Sequence, residues 1–144
     1  MTALVDTNVL VYRFDPRDSA KQRVARELLR EGIERDTLRV PHQAIVEFVQ
    51  AVTRPAGRGA AGLLTRAEAL REAEELLAQF DILYPTESLV RTAIRGAATY
   101  QLGWFDAHMW AYAEHYGLEE ILSEDFSDGQ LIGTVRIRNP FKTS

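Results

Sequence analysis

The sequence predicts an α/β fold, a three-layer α/β/α sandwich with a mostly parallel central sheet, as a single domain over residues 1–144. Short apolar runs alternate along the chain with helical segments of about 10–17 residues, which is typical of parallel strands joined by helices. The length of 144 residues and the hydrophobic content of 46% suit one core. The chain has no cysteine, which excludes disulfides and thiolate metal sites.

The first half of the chain is predicted to contain two strands, a helical turn and two longer helices. Residues 2–5 form a buried strand, and residues 9–12 form the helical turn that follows it. Asp18-Ser19 caps a helix that runs to Gly32. Residues 38–40 form a short strand, after which Pro41 permits the start of an apolar helix that ends near Thr53.

The middle of the chain begins with a flexible loop over residues 55–62, rich in glycine and alanine. Thr65 and Glu68 form a capping box for a helix that ends near Phe80. Residues 82–84 form a strand, because Pro85 stops the apolar run there.

The last third is predicted to hold two helices and two strands. The first helix covers residues 86–102 and ends at Gly103, and the second covers 105–116 and stops at Gly117. Residues 120–122 form a buried strand. Residues 134–137 form the last strand, a candidate for the edge of the sheet.

The net charge of −4 is unevenly distributed along the chain. Residues 1–72 carry 12 Lys+Arg against 10 Asp+Glu, while residues 73–144 carry 5 against 11. An acidic protein binds nucleic acid poorly in bulk, so any such contact is expected to be local and bridged by metal. We expect a cytoplasmic protein, because no signal peptide and no apolar run of roughly 20 residues is recognised.

Four acids stand at unusual positions for acids. Asp6 ends the first buried strand, Glu47 lies inside an apolar helix, Asp106 follows two aromatic residues, and Asp125 follows the strand at 120–122. Because open α/β folds place their ligands at the carboxyl edge of the sheet, we expect these four side chains to meet there.

Each acid taken alone also has a structural interpretation. Asp6 and Asp106 are suitable N-caps of the helices that follow them. Asp125 follows a strand, and the nearby Asp128-Gly129 is typical of a turn. Glu47 would need a buried arginine partner, because an unpaired buried carboxylate costs several kcal/mol. The joint occurrence of all four at one edge favours a metal site instead.

Oxygen ligands select hard cations, so the predicted cofactor is Mg²⁺ or Mn²⁺. Such a site binds a phosphodiester oxygen and generates a hydroxide nucleophile, which suits hydrolysis of a nucleic-acid backbone. The sequence contains no P-loop, GxSxG or GxGxxG motif. Arg54 and Arg58 flank the glycine-rich loop and are candidates either for a phosphate contact or for solvated loop residues.

The aromatic residues of the last third are interpreted as core rather than as a platform for nucleic-acid bases. This applies to Trp104, Trp110 and Tyr112. Together with Leu89 and Tyr100 they provide more apolar surface than a small sheet requires. We therefore expect part of this surface at a two-fold homodimer interface.

The order of these motifs resembles one known family. The segments concerned are Asp6-Thr7-Asn8-Val9-Leu10, Glu47 in a helix after Pro41, Phe105-Asp106-Ala107 and Ser123-Glu124-Asp125. This order resembles the PIN-domain ribonucleases, specifically the VapC-type toxins of bacterial toxin–antitoxin modules, and the likeness covers essentially the whole chain.

The resemblance implies a PIN-like fold and an endoribonuclease that uses Mg²⁺ or Mn²⁺, with Asp6, Glu47, Asp106 and Asp125 as the acidic set. It implies that Asn8 and Ser123 support the first and last acids. Asp128 stands where some relatives carry a further acid, which makes it a third candidate for a supporting residue. The family also implies a homodimer and a cognate antitoxin whose C-terminal tail blocks the site.

Three other functions remain open. A catalytically silent PIN-like binding module would use the fold without the chemistry. An aspartate-phosphorylating phosphatase needs a second acid two residues after Asp6, where Asn8 stands. A receiver domain needs an acid at the end of its third strand, and residues 82–85 supply none. No linear pattern specifies the RNA target, the number of metal ions or the antitoxin.

Overall fold

The structure is a computed structural model that describes residues 2–55 and 58–142. Residues 56–57 of the predicted loop lie outside the described part. Within the described residues, six strands form one sheet: β1 Ala3–Val5, β2 Leu38–Pro41, β3 Asp81–Leu83, β4 Glu120–Leu122, β5 Leu131–Ile132 and β6 Val135–Arg138.

The described residues also contain six α-helices, which lie between the strands. They are α1 Thr7–Tyr12, α2 Ser19–Arg35, α3 His42–Thr53, α4 Arg66–Gln79, α5 Glu87–Tyr100 and α6 Trp104–His115. The predicted capping box is present, because the Thr65 hydroxyl and the Glu68 carboxylate each accept a hydrogen bond from the other residue's backbone N–H.

The strand order is β3-β2-β1-β4-β6-β5, and every neighbouring pair is parallel except β5 and β6. The predicted α/β fold with a mostly parallel sheet is therefore confirmed. Since β1 lies between β2 and β4, the carboxyl ends of these central strands lie at the same edge of the sheet.

Apolar residues cover both faces of the sheet. On β1, Ala3 and Val5 pack into one core cluster with α1 to α4, while Leu4 packs into a second cluster with α5 and α6. The period of two along the strand separates these two sets, because successive side chains point to opposite faces. The helices therefore form the two outer layers that the sequence predicts.

Several predicted boundaries differ from the structure. The last predicted strand is not at the edge, because β6 lies between β4 and the short antiparallel β5. Helix α2 continues past Gly32 to Arg35, where Asp36 adopts the left-handed conformation. Helix α5 ends at Tyr100 through the left-handed Gln101, so Gly103 is not its stop but the N-cap of α6.

The close packing of α5 on α6 depends on Gly96. A Cβ atom added there would lie 2.3 Å from Cζ3 of Trp110. Leu89, Trp110 and Tyr112 are buried within the chain, which confirms Trp110 and Tyr112 as core residues but removes them from the predicted dimer surface. No helix in the described part of the chain is long and apolar enough to cross a membrane.

Candidate active site

Asp6 lies at the carboxyl end of β1, in the middle of the sheet. Its backbone N–H continues the ladder to Leu122 of β4 at 3.0 Å, and its side chain is only 5% exposed. Its Oδ1 accepts a hydrogen bond of 2.7 Å from the backbone N–H of Thr7, so Asp6 is indeed the N-cap of α1. The N-cap accounts for one carboxylate oxygen and leaves Oδ2 directed at other groups.

A polar network joins Asp6 to Asp125 through Ser123 and Asn8. The Ser123 hydroxyl donates to Asp6 Oδ2 at 2.6 Å and accepts from the backbone N–H of Asp125 at 3.0 Å. The Asn8 amide donates to Asp125 Oδ2 at 3.2 Å and to Asp6 Oδ2 at 3.4 Å. The two residues thus contact both acids, as expected of supporting residues.

Glu47 is supplied by α3, which begins at the carboxyl end of β2. Its side chain is half-buried, and its Oε1 accepts a hydrogen bond of 2.8 Å from the amide of Gln43, one helical turn earlier. Among the described residues no arginine pairs with Glu47. The ion-pair alternative considered for Glu47 therefore lacks its partner.

Asp106 lies in the first turn of α6 and is half-buried. The N-cap of this helix is Gly103, three residues earlier, so the cap interpretation of Asp106 is wrong. Because Asp106 lies in the first turn, the positive end of the dipole of α6 favours the negative charge of its carboxylate.

The electrostatic shifts show that the acids influence one another. Burial raises the pKa of the Asp6 carboxyl to about 7; the hydrogen bonds from Ser123 and Thr7 oppose this rise, and the charges of Asp125 and Glu47 add to it. Burial also raises the pKa of Asp106, and the same two charges contribute. The charges of Asp125 and Glu47 therefore act on both Asp6 and Asp106.

The donor set fits a hard divalent cation, because it consists of carboxylate oxygens without sulfur. Mutual repulsion of these carboxylates is what a cation would relieve. In residues 2–55 and 58–142, however, no group of three or more Asp, Glu or His residues is close enough to hold a metal ion as the side chains stand. A cation would have to draw the four carboxylates together as it binds.

A cleft of about 470 Å³ opens beside these acids. Glu47, Asn8 and Asp125 line it, together with Arg17 and Arg54. Arg17 is held by the buried Asp15, since its Nε donates to Oδ1 at 2.8 Å and its Nη2 to Oδ2 at 2.9 Å. The cleft is therefore acidic at one part of its wall and carries two guanidinium groups at another.

The wall of this cleft contains a second network, which sequence reasoning missed. Tyr12 donates to Glu124 Oε1 at 2.6 Å, and Lys21 Nζ donates to Glu124 Oε2 at 2.8 Å. This network fixes the segment that carries Asp125 against α1 and α2. The only hint of this network in the sequence is the adjacent pair of acids Glu124-Asp125. In the structure Glu124 binds Tyr12 and Lys21, whereas Asp125 binds Asn8.

Asp128 does not join the four acids. Its Oδ1 accepts a hydrogen bond of 2.8 Å from the backbone N–H of Asn139, and its Oδ2 lies 3.9 Å from Lys142 Nζ. These contacts tie the loop after β4 to the chain beyond β6. The structure thus gives Asp128 a role in loop conformation, and the supporting position predicted from the sequence is not where its side chain lies.

An apolar surface lies next to the acids. Trp104 is 53% exposed and Phe105 is 70% exposed, so the prediction of Trp104 as a core residue is wrong. Its position in the first turn of α6 places it beyond the sheet, whereas Trp110 lies two turns later over the strands. Trp104, Phe105 and the exposed Val46 line a second cavity of about 230 Å³.

The chain matches a family model described as the PIN domain over residues 3–127. No curated protein matches the chain by sequence.

Similar solved structures come from several bacteria. A toxin–antitoxin complex from Klebsiella pneumoniae is 18% identical, with a TM-score of 0.69 over 99% of this chain and 100% of that chain. DNA-bound VapBC from Salmonella typhimurium is 13% identical, with a TM-score of 0.71 over 97% and 98%. VapC20 from Mycobacterium tuberculosis, a sarcin-ricin loop cleaving toxin, is 16% identical, with a TM-score of 0.65 over 96% and 100%. At these identities the likeness is one of fold.

Proposed function

Because the chain belongs to the PIN-domain family, we propose that it is a metal-dependent endoribonuclease and the toxin component of a type II toxin–antitoxin pair. The observation that supports the proposal is that Ser123 and Asn8 join Asp6 and Asp125 at the carboxyl edge of the sheet. Burial raises the pKa values of Asp6 and Asp106, and the charges of Asp125 and Glu47 add to both rises. A site of this composition is suited to cations and, through them, to phosphates.

The four carboxylates would hold Mg²⁺ or Mn²⁺, and PIN nucleases in general use divalent metal ions. The cation, when bound, would neutralise charge on the phosphodiester and lower the pKa of a water molecule. Ser123 and Asn8 would keep the carboxylates of Asp6 and Asp125 oriented through the hydrogen bonds described above. Burial raises the pKa of Asp6 to about 7, and a bound cation would favour the ionised carboxylate.

Water is the nucleophile in this proposal, because the Ser123 hydroxyl already donates a hydrogen bond to Asp6. Ser123 is fully buried, and its hydroxyl donates to Asp6. A covalent intermediate on Ser123 would require breaking this hydrogen bond and exposing the side chain. Hydrolysis of the phosphodiester by water needs neither change.

The proposed partners are an RNA substrate, a cognate antitoxin and a second copy of the chain. The Klebsiella, Salmonella and Mycobacterium proteins supply the support: the first two are described as toxin–antitoxin assemblies, and the third as a toxin that cleaves the sarcin-ricin loop. Co-purification with the product of a small neighbouring reading frame would test the antitoxin.

Phosphoaspartate chemistry is the weaker alternative. Asn8, at the place where a phosphatase needs a proton donor, donates its amide hydrogens to Asp6 and Asp125. Phosphoaspartate chemistry also requires a lysine beside the phosphorylated acid, but Lys21 donates to Glu124 and Tyr12 instead of to Asp6. A silent binding module differs from the proposal only in activity, which is measured directly.

The test is cleavage of labelled RNA by the purified protein with Mn²⁺, beside the same reaction in EDTA. We expect cleavage by the wild type in Mn²⁺ alone, and less than a tenth of it by Asp6→Asn and Asp106→Asn. Asp128→Asn is the matched control and should cleave as the wild type does, because Asp128 contacts Asn139 rather than the site. Absence of cleavage by the wild type, or full activity of Asp106→Asn, would contradict the proposal.

A further inference from the structure

We propose that Trp104, Phe105 and Val46 form a base-stacking subsite, which binds an unpaired base of single-stranded RNA next to the acid site. This inference rests on the proposed nuclease function and specifies how its substrate is bound. The proposed ligand is an unpaired nucleobase of an RNA strand whose phosphate backbone runs beside the carboxylates of the acid site. Below, these three residues are called the aromatic wall.

The side chains of the aromatic wall are largely exposed to solvent. Phe105 is 70% exposed, Trp104 53% and Val46 56%, and together they line a cavity of about 230 Å³. The His108 ring packs edge-on against Trp104 at 4.4 Å between centroids, and its Nδ1 contacts the Trp104 carbonyl at 2.8 Å. The Trp104 ring is thus packed against His108, one helical turn later. Exposed aromatic side chains can stack on any base, because every base has a π-face.

The aromatic wall is continuous with the acid site. Glu47 lines both this cavity and the larger cleft beside Asp125. Gln43 links the two, because its amide Nε2 donates to Glu47 Oε1 at 2.8 Å and to the Phe105 carbonyl at 3.2 Å. Asp106 directly follows Phe105 in the first turn of α6. A strand with a base on the aromatic wall would therefore pass beside Glu47 and Asp106.

The larger cleft continues the path with charges that complement a nucleic-acid backbone. Arg17 and Arg54 both line the larger cleft, which Glu47 separates from the aromatic wall. The Nε and Nη2 groups of Arg17 contact Asp15, which leaves the remaining guanidinium N–H groups free to meet a phosphate. Base-stacking side chains beside a cationic groove are the combination that binds single strands without strong sequence preference.

This combination favours single-stranded RNA over the other candidate occupants. A second copy of the chain would cover the aromatic wall without using the arginines of the cleft. A base-paired duplex does not offer an unstacked base to Trp104 and Phe105. A single strand would use the exposed aromatic side chains, the acid edge and the guanidinium groups at once.

The test measures RNA binding separately from cleavage. A 12-nucleotide single-stranded RNA of mixed sequence, labelled with fluorescein, is titrated with protein carrying Asp106→Asn in Mn²⁺, and the Kd is read from anisotropy. In this background we expect Trp104→Ala and Phe105→Leu each to raise the Kd at least about fivefold, the lower range for loss of one stacked base. Trp104→Phe should keep most of the affinity. Leu77→Ala, an exposed apolar residue on α4, is the control and should bind unchanged.

Two further measurements identify the occupant. The emission of the exposed Trp104 should be quenched by the single strand but not by the same strand annealed to its complement. Arg54→Gln should reduce the slope of log K against log salt by about 0.7, as expected for one phosphate contact to a single strand.

The outcomes separate the subsite from the nuclease. Weaker binding by the variants, together with no cleavage of RNA by the wild-type protein, would support the subsite and overturn the nuclease proposal. Cleavage by the wild type, with Kd values for Trp104→Ala and Phe105→Leu within twofold of their Asp106→Asn parent, would overturn the subsite alone. The same unchanged Kd values together with loss of self-association in sedimentation would assign the surface to a second copy, which also overturns it.

Discussion

The hydroxyl of Ser123 donates a 2.6 Å hydrogen bond to Asp6 Oδ2 across 117 positions of the sequence. The Ser123 Oγ in turn accepts a hydrogen bond of 3.0 Å from the backbone N–H of Asp125 and one of 3.2 Å from the Asn8 amide. One buried hydroxyl therefore joins the carboxyl ends of the two central strands and orients groups of both acids. The acid site depends on this polar network as well as on strand register.

Replacing Ser123 by alanine tests this network. The change leaves the buried carboxylate of Asp6 without its short hydrogen bond, so we expect the free energy of unfolding to fall by about 1–3 kcal/mol. The pKa of Asp6 should rise further, because the hydrogen bond from Ser123 lowers it. Urea unfolding measures the first effect. Ser127→Ala, at an exposed position nearby, is the control, and equal stability of the two variants would contradict the account.

The pKa of Asp6 predicts a pH dependence of stability in EDTA. The folded-state value of about 7 lies above the ordinary value of 3.8, so the folded protein binds more protons between these limits. The contribution of Asp6 to the free energy of unfolding therefore falls as pH rises from about 4 to about 7, and is constant above that range. The difference between wild type and Asp6→Asn in melting temperature, measured across this range, isolates the effect. A difference that does not change with pH would show that Asp6 titrates normally.

Tyr12→Phe tests the network that holds the segment carrying Asp125. The change removes the hydroxyl that donates to Glu124, and we expect a loss of about 1 kcal/mol in the free energy of unfolding. RNA cleavage should also decrease, since Glu124 precedes Asp125. Tyr84→Phe, at an exposed ring, provides the comparison. Unchanged cleavage by Tyr12→Phe would mean that this network is structural only.

Gly96→Ala tests the packing of α5 on α6. The added methyl group would meet the Trp110 ring at 2.3 Å, so we expect overpacking to cost about 1–3 kcal/mol of the free energy of unfolding. Thr99→Ala, at an exposed position of the same helix, should have little effect. If Gly96→Ala were as stable as Thr99→Ala, the interface between the two helices would have to be looser than described.

The sequence predicted the parts of the fold that depend on local pattern. The buried runs at β1, β2 and β4 and the capping box at Thr65 were found, because their apolar period and polar caps are visible along the chain. The two-residue β5 was missed, since Leu131–Ile132 pairs with β6 in a tight hairpin and is too short to show a period.

The sequence predicted that Asp6 and Asp125 follow buried strands at one edge of the sheet, as the parallel pairing of β1 and β4 shows. That all four acids form one site stays a prediction, and the surroundings of the site were not predicted. Asp128 could not be distinguished from Asp125 by type or neighbourhood, and only the fold shows that its partner is Asn139. Trp104 and Trp110 lie on a helix whose apolar residues surround it, so their different exposure follows from where the sheet ends. Gln43 was missed because a glutamine four residues before Glu47 is ordinary on a helix surface.

The central claim is that Asp6, Glu47, Asp106 and Asp125 together hold a divalent cation. Carboxylates about 4 Å apart repel by roughly 4 kcal/mol per pair at an effective dielectric near 20, as an upper guide. Removing one of these charges relieves repulsion, so Asp106→Asn in EDTA should melt at or above the wild-type temperature. In the wild type, binding of Mn²⁺ should relieve the repulsion between the carboxylates.

The most direct test is the shift in melting temperature when Mn²⁺ is added to wild type, Asp106→Asn and Asp128→Asn. At a hundred times the dissociation constant, the ion should stabilise the wild type and Asp128→Asn by about 2.7 kcal/mol, while Asp106→Asn should gain much less. An equal shift in wild type and Asp106→Asn would show that Asp106 is not a ligand, and it would contradict the four-acid site.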